Sequence, residues 1–293
     1  MKQAILITAY KDFDHLIDLI DFFDDEWFEC YIHIDKKHFP EEAIIQKIRS
    51  LRPVKLVSDH YTVNWGGRNH LRSYLLLAEE ALKNPDNSYF HLISGQDFPV
   101  KSVSYFKSFA KRSDQRDYLT YNKMPYKNWI HGGMNRVEYY NFYDVFDAKK
   151  DGQWIQRLLT WQKQIGFKRK LSKRVPALYA GDTWWSLTRG TLQYVMDYTA
   201  NQPYLLNRMK YTFCAEEMYF QTVIMNSPYA RNVVNDNLRY IDWTSGRSGS
   251  PAHPATLDMT DFDKLKESNV LFGRKFQSPV SDELKDRLKK EEI

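Results

Sequence analysis

Two adjacent carboxylates, Glu216 and Glu217, follow the apolar and aromatic approach Tyr211-Thr212-Phe213-Cys214-Ala215. Such a setting can desolvate a carboxylate and raise its pKa toward that of a general base. Neighbouring helix side chains point about 100° apart, so only one of the pair can face a given pocket. The competing account is electrostatic, because acids are favoured in a first helical turn. Near the other end of the folded region, Arg274-Lys275 follows Gly273 and is framed by Phe272 and Phe276. Cations held between aromatics can bind a diphosphate and neutralise a leaving group, although an isolated dipeptide of this kind is also an ordinary surface pair.

Metal and phosphate motifs are sparse. Asp-x-Asp pairs occur at Asp12-Phe13-Asp14 and Asp261-Phe262-Asp263, both where helices are expected to start, and helix capping explains them better than a divalent cation does. The polar stretch Ser94-Gly95-Gln96-Asp97 ends an apolar run but carries one carboxylate, a poor magnesium site. No Walker loop, GxGxxG after the first strand, HExxH or GxSxG is present, which argues against the commonest ATPases, dehydrogenases, zinc proteases and serine hydrolases.

These residues must be positioned by an α/β scaffold. Apolar runs at 4–9, 29–35, 54–57 and 89–94 read as strands. Helical patterns fall between them at 12–23, 41–51 and 68–83, so the first hundred residues predict a parallel, doubly wound nucleotide-binding sheet. In open α/β sheets ligands gather at the carboxyl ends of strands, where Ser94 to Asp97 falls. From 118 to 143 the chain is rich in Asn, Tyr, Gly and Trp without clean periodicity, a substrate-facing loop region. Further on, helices are expected at 153–164, 189–200, 216–226 and 261–268. Strands are expected at 179–187 and 238–243, with a flexible stretch at 244–254 and a turn at 271–276. Without repeats or linkers, residues 1–293 read as one domain: a nucleotide-binding half, 1–101, and an acceptor-binding and catalytic half, 102–293.

The 293 residues carry 43% hydrophobic side chains, enough for a sizeable core, with 20 Tyr, 17 Phe and 8 Trp that could partly line a sugar or nucleobase pocket. Net charge is +5, and the basic residues are dispersed except in Lys168 to Arg174 and Lys285 to Lys290. The first cluster reads as a basic loop or helix face. A solvated surface is its simplest role, with anionic headgroups or a phosphorylated substrate as the functional alternatives. No nucleic-acid-binding module accompanies the charge. Cys30 and Cys214 show no framework spacing, and the N-terminus enters a strand at once, so a cytoplasmic protein, at most peripheral at the inner face of a membrane, is expected.

In order, Ile7 to Tyr10, Tyr31 to Asp35, Trp65-Gly66-Gly67, Tyr89 to Pro99, Gly181 to Arg189, Glu216 to Thr222, Leu238 to Trp243 and Leu271 to Phe276 resemble the core-2/I-branching N-acetylglucosaminyltransferase family. That family also contains the peptide O-xylosyltransferases, and its bacterial members look closest. The resemblance implies a GT-A type fold, a mostly parallel sheet flanked by helices. It also implies inverting, metal-independent transfer from a UDP-sugar, with GlcNAc favoured, to a glycan or lipid-linked saccharide acceptor in surface polysaccharide synthesis. It makes Glu217 the base, puts Lys275 and Arg274 on the diphosphate, and nominates Thr8, Ala9, Asp35, Trp65, Gly66 and Asp97 for the nucleotide sugar, with bracing of the turn as the alternative for Asp97. Arg136, Tyr139, Trp184, Tyr240, Asp242 and Trp243 are the acceptor candidates. The family's second diphosphate arginine has no counterpart in 251–256, which leaves His253, Arg247 or Arg239 as substitutes. No metal or other cofactor is expected. The alternatives are a metal-dependent GT-A transferase of UDP-xylose, UDP-glucose or UDP-galactose, and an inactive sugar- or nucleotide-binding relative.

Overall fold

A computed structural model describes residues 1–112, 116–243, 246–247 and 253–291. Most of the stretch expected to be flexible, 244–254, lies outside the described residues.

The apolar runs of the first hundred residues alternate strand and helix: β1 (Lys2–Ala9), α1 (Phe13–Phe22), β2 (Phe28–Ile34), α2 (Glu42–Ser50), β3 (Val54–Ser58), α3 (Asn69–Leu82) and β4 (Asn87–Ser94). There follow β5 (Asp97–Pro99), α4 (Val103–Arg112), β6 (Asp117–Leu119), β7 (Asn122–Lys123), α5 (Asn135–Glu138) and α6 (Ala148–Gln164). Next come β8 (Tyr179–Ala180), β9 (Trp185–Thr188), α7 (Arg189–Asn201), α8 (Pro203–Met209) and α9 (Tyr219–Met225). The chain ends with β10 (Val233–Val234), β11 (Arg239–Ile241), α10 (Phe262–Glu267), β12 (Phe272–Arg274) and α11 (Asp282–Lys290).

The main sheet has the order β10-β6-β9-β4-β1-β2-β3. β1 pairs in parallel with β2 and β4, and β9 runs antiparallel to both β4 and β6. Strands buried on both faces need apolar side chains on both faces, which is why these strands read as continuous runs. In β1, Ala4 and Leu6 enter one core with α3, α7 and α9, whereas Ile5, Ile7 and Ala9 enter the other with α1, α2 and α4. The result is the mostly parallel, helix-flanked α/β sheet expected of a GT-A type fold.

Three expectations are corrected. The strand foreseen over 179–187 is two strands, because at Gly181 the backbone passes so close to Thr120 that a Cβ would lie 1.9 Å from its carbonyl oxygen. The turn foreseen at 271–276 contains β12, the centre of a second sheet, β11-β12-β5. The helix foreseen from 216 starts at Tyr219, since Met218 (φ −132°, ψ −31°) separates it from a 3-10 turn, Ala215–Glu217. Glu216 and Glu217 therefore do not sit in the first turn of α9.

Candidate active site

The two sheets meet where β4 ends. In register, Thr8 of β1 faces Ser94 of β4, while β12 lays Arg274 between Ile241 of β11 and Asp97 of β5. Arg274 donates through Nη1 to the Ser94 hydroxyl and lies 3.4 Å from Asp97 Oδ1. Its guanidinium also stacks over Trp184 at 4.7 Å from the ring centroid. Asp97 is fully buried and accepts from the Ser94 amide, which favours the bracing of this turn over a place on the donor sugar.

Lys275 follows with no hydrogen bond or ion pair to its ammonium among the described residues. Burial, and then Arg274 and Lys11, pull its pKa down. Arg274 has the Asp97 carboxylate beside it, whereas Lys275 and Lys11 add positive charge at the same place, a combination that can attract an anion. Lys11 was missed in the sequence because it lies one residue beyond the Ile7–Tyr10 motif. Of the proposed substitutes His253 is exposed, and the two arginines serve other purposes. Arg239 is buried, with its guanidinium donating to the carbonyls of Leu92, Trp185 and Asn237 and to the Ser186 hydroxyl, and burial lowers its pKa to about 10. Arg247 is held by Asp242, Asp258 and Asp261 at 2.9, 3.0 and 2.9 Å.

Glu217 is placed by backbone geometry. Cys214 takes a left-handed conformation (φ 50°), its amide donates to the Gly66 carbonyl at 3.0 Å, and Glu217 offers its own carbonyl to the Gly181 amide at 2.9 Å. Gly66 (φ +77°) could not be replaced freely, since a Cβ there would lie 2.6 Å from the Phe213 ring. The exposed Trp65 ring stands edge-on to Phe213 at 5.2 Å. The Glu217 side chain is 29% exposed and accepts from Arg136 Nη1 at 2.5 Å. Burial raises its pKa to about 7, Arg136 opposes that shift, and Glu216 and Asp182 add to it. Arg136 in turn lies over Trp129 at 3.9 Å. The structure thus puts a residue nominated for the acceptor directly on the candidate base.

Glu216 points the other way into the core. Its Oε1 is 3.3 Å from His70 Nδ1, whose Nε2 is 3.0 Å from the Tyr74 hydroxyl. Tyr74 is also within electrostatic reach of Glu216, Arg274 and Glu217. His70 and Tyr74 were missed, although their i, i+4 spacing after Trp65-Gly66-Gly67 puts both on one helix face.

Of the other nominated residues, Asp35 ends β2. Its Oδ1 accepts from the amides of Val63 and Lys37 at 3.0 and 3.2 Å, and Oδ2 lies 3.1 Å from His38 Nδ1. One lone-pair direction on Oδ2 is left by these bonds. Ala9 is buried, and its carbonyl accepts from the Asp35 amide. Tyr240 donates to Asp261 at 3.4 Å, Asp242 is buried on Arg247, and Trp243 is exposed beyond β11. Tyr139 is not brought to the site: its ring neighbour is Lys163. Among the described residues no group of three or more His, Cys, Asp or Glu side chains could hold a metal ion.

The Core-2/I-Branching enzyme family model matches residues 4–266. Xylosyltransferase 1 of Rattus norvegicus is 26% identical over 276 residues, covering 87% of this chain and 31% of the relative. Xylosyltransferase 2 of Canis lupus familiaris is 24% identical over 276 residues, with 87% and 29% covered. The chain thus spans under a third of the length of these relatives. Among solved structures, mouse xyloside xylosyltransferase 1 in its apo form is similar with a TM-score of 0.37 at 9% identity, covering 92% of this chain and 97% of that one. S. aureus TarS 1–349 in complex with UDP gives 0.33 at 15% identity, covering 42% and 36%.

Proposed function

The chain belongs to the Core-2/I-branching enzyme family, and from that premise we propose that it is an inverting glycosyltransferase moving a sugar from a UDP-sugar to an acceptor hydroxyl without a metal ion. The observation that carries this reading is Glu217, a carboxylate whose pKa of about 7 suits a general base, with Tyr74 within electrostatic reach of both Glu217 and Arg274.

In the proposed reaction Glu217 takes the proton of the acceptor hydroxyl, whose oxygen forms the new bond to the anomeric carbon. The bond from that carbon to the diphosphate breaks on the opposite face, and UDP leaves with the electron pair. Lys275, Arg274 and Lys11 neutralise the charge that develops on the diphosphate. Arg136 orients Glu217 and keeps enough of it ionised. Asp35 offers its remaining lone pair to a ribose hydroxyl. Trp65 flanks the donor sugar, and Trp184, Tyr240, Asp242 and Trp243 lie toward the glycan or lipid-linked acceptor. GlcNAc is the favoured donor sugar, and the names of the relatives make xylose its first competitor. The proposed product belongs to surface polysaccharide.

Calorimetric titration of UDP, UDP-GlcNAc and UDP-xylose, with and without EDTA, tests donor and metal together. Equal UDP affinity in both buffers is expected, and binding lost in EDTA rejects the metal-free site. Glu217→Gln is expected to lower turnover about 10²- to 10⁴-fold while UDP affinity is retained. Unchanged turnover removes Glu217 as the base.

A further inference from the structure

The surface around α6 is unlike the rest of the molecule. Trp154, Leu158, Trp161 and Ile165 recur at helical spacing and fall within about 60° of one another around the axis. A stripe so placed normally faces a core, yet Trp154, Trp161 and Ile165 are 56%, 58% and 55% exposed. Phe167, just beyond, is 40% exposed and stacks on Tyr140 at 5.9 Å, so the stripe continues into a shallow apolar groove. The buried side of the helix, Ile155 and Gln162, is adjacent, with Gln162 bonded to both the amide and the carbonyl of Tyr140. The helix is therefore docked firmly and still leaves its aromatic stripe in water.

Charge singles out the same surface. Residues 148–174 hold nine Lys and Arg and one acid, Asp151, whereas the remaining chain holds 33 basic and 36 acidic residues. The whole positive excess of the protein thus resides in 27 residues. Arg169 clamps this segment to the body by donating to the carbonyls of Tyr139, Tyr211, Arg208 and Lys210, and Lys170 and Lys173, three and six residues beyond Phe167, are exposed.

We propose that this face docks on an anionic phospholipid bilayer, with Trp154, Trp161, Ile165 and Phe167 entering the headgroup–acyl boundary and Lys170, Lys173 and their neighbours meeting lipid phosphates. Trp and Phe on an apolar face edged by Lys and Arg match that boundary, where apolar burial and attraction to anionic lipid act together. A second copy fits worse, because self-association would press two strongly basic faces together. Neither Glu217 nor Lys275 lines this groove, so the proposal stands apart from the donor reading.

The full chain should co-sediment with vesicles containing about one-third phosphatidylglycerol at least about tenfold better than with phosphatidylcholine alone, and lose that preference as salt is raised. Lys170→Gln with Lys173→Gln should reduce binding about tenfold or more. Trp161→Ser with Ile165→Ser should reduce it similarly and remove a blue shift of tryptophan fluorescence seen on binding. UDP affinity and thermal unfolding of both variants, read in parallel, should match the parent and show that they are folded. Equal partition onto both vesicle types, binding unaffected by either variant, capture by polyglutamate without capture by vesicles, or a dimer abolished by the Trp161 variant each overturns the proposal.

Discussion

At Glu217 two opposing effects decide the proton. Burial raises its pKa to about 7 while Arg136 pulls it down. A general base must be ionised, so kcat/KM should rise as pH climbs through about 7 and level off above it. Arg136→Met removes the favourable charge, so that limb should move to higher pH by about 1–3 units. A lower rate with an unmoved limb would reduce Arg136 to a purely structural role. On the other side of the site, Lys275→Ala should weaken UDP binding roughly 10- to 100-fold by calorimetry, the worth of one charged hydrogen bond, and unaltered affinity removes it from the diphosphate. Lys11→Ala, whose charge reaches the same point from the β1–α1 turn, should weaken it in the same direction.

At the scale of elements, the N-terminal ends of β1, β2 and β4 are tied by one carboxylate. Burial pushes Glu29 up, but hydrogen bonds from Asn84, Lys2, Tyr31 and Asn87 outweigh it and hold its pKa near 2. A depressed folded pKa gives stability that is present above the ordinary value of 4.5 and lost as pH falls toward 2. Glu29→Gln should therefore cost up to about 3 kcal/mol in urea unfolding at pH 7, and the difference from the parent should shrink toward pH 2. An equal difference at both pH values would mean that the ionised form is not what the network favours. The loop 64–67 offers a second check. Gly66→Ala would force a Cβ against Phe213 in a left-handed conformation, so it should lower the unfolding temperature and displace the turn that carries Glu217, cutting turnover. Full activity in that variant would show that the Trp65–Phe213 contact does not position the base.

Across the whole molecule, the seven-stranded sheet and the three-stranded sheet bring together residues from the beginning, middle and end of the chain. Periodicity carried the first half: alternating apolar runs and helical patterns placed β1 to β4 and α1 to α3 within a few residues, because each of those segments must bury apolar faces whatever its partners are. The sequence also marked Glu217 and Lys275, through an acidic pair after an apolar approach and a basic pair between aromatics. It could not decide which acid faces outward. That depends on the left-handed Cys214, on the Gly66 and Gly181 contacts, and on His70 taking Glu216 into the core. Nor could it show that Arg239 and Arg247 are bound elsewhere, or that Lys11 supplies the extra charge at Lys275. Element type follows from local patterns of side chains. The occupation of each cation, by a carboxylate, by carbonyls or by nothing, follows only from long-range pairing such as that of β12 with β5, and so only the tertiary structure decided it.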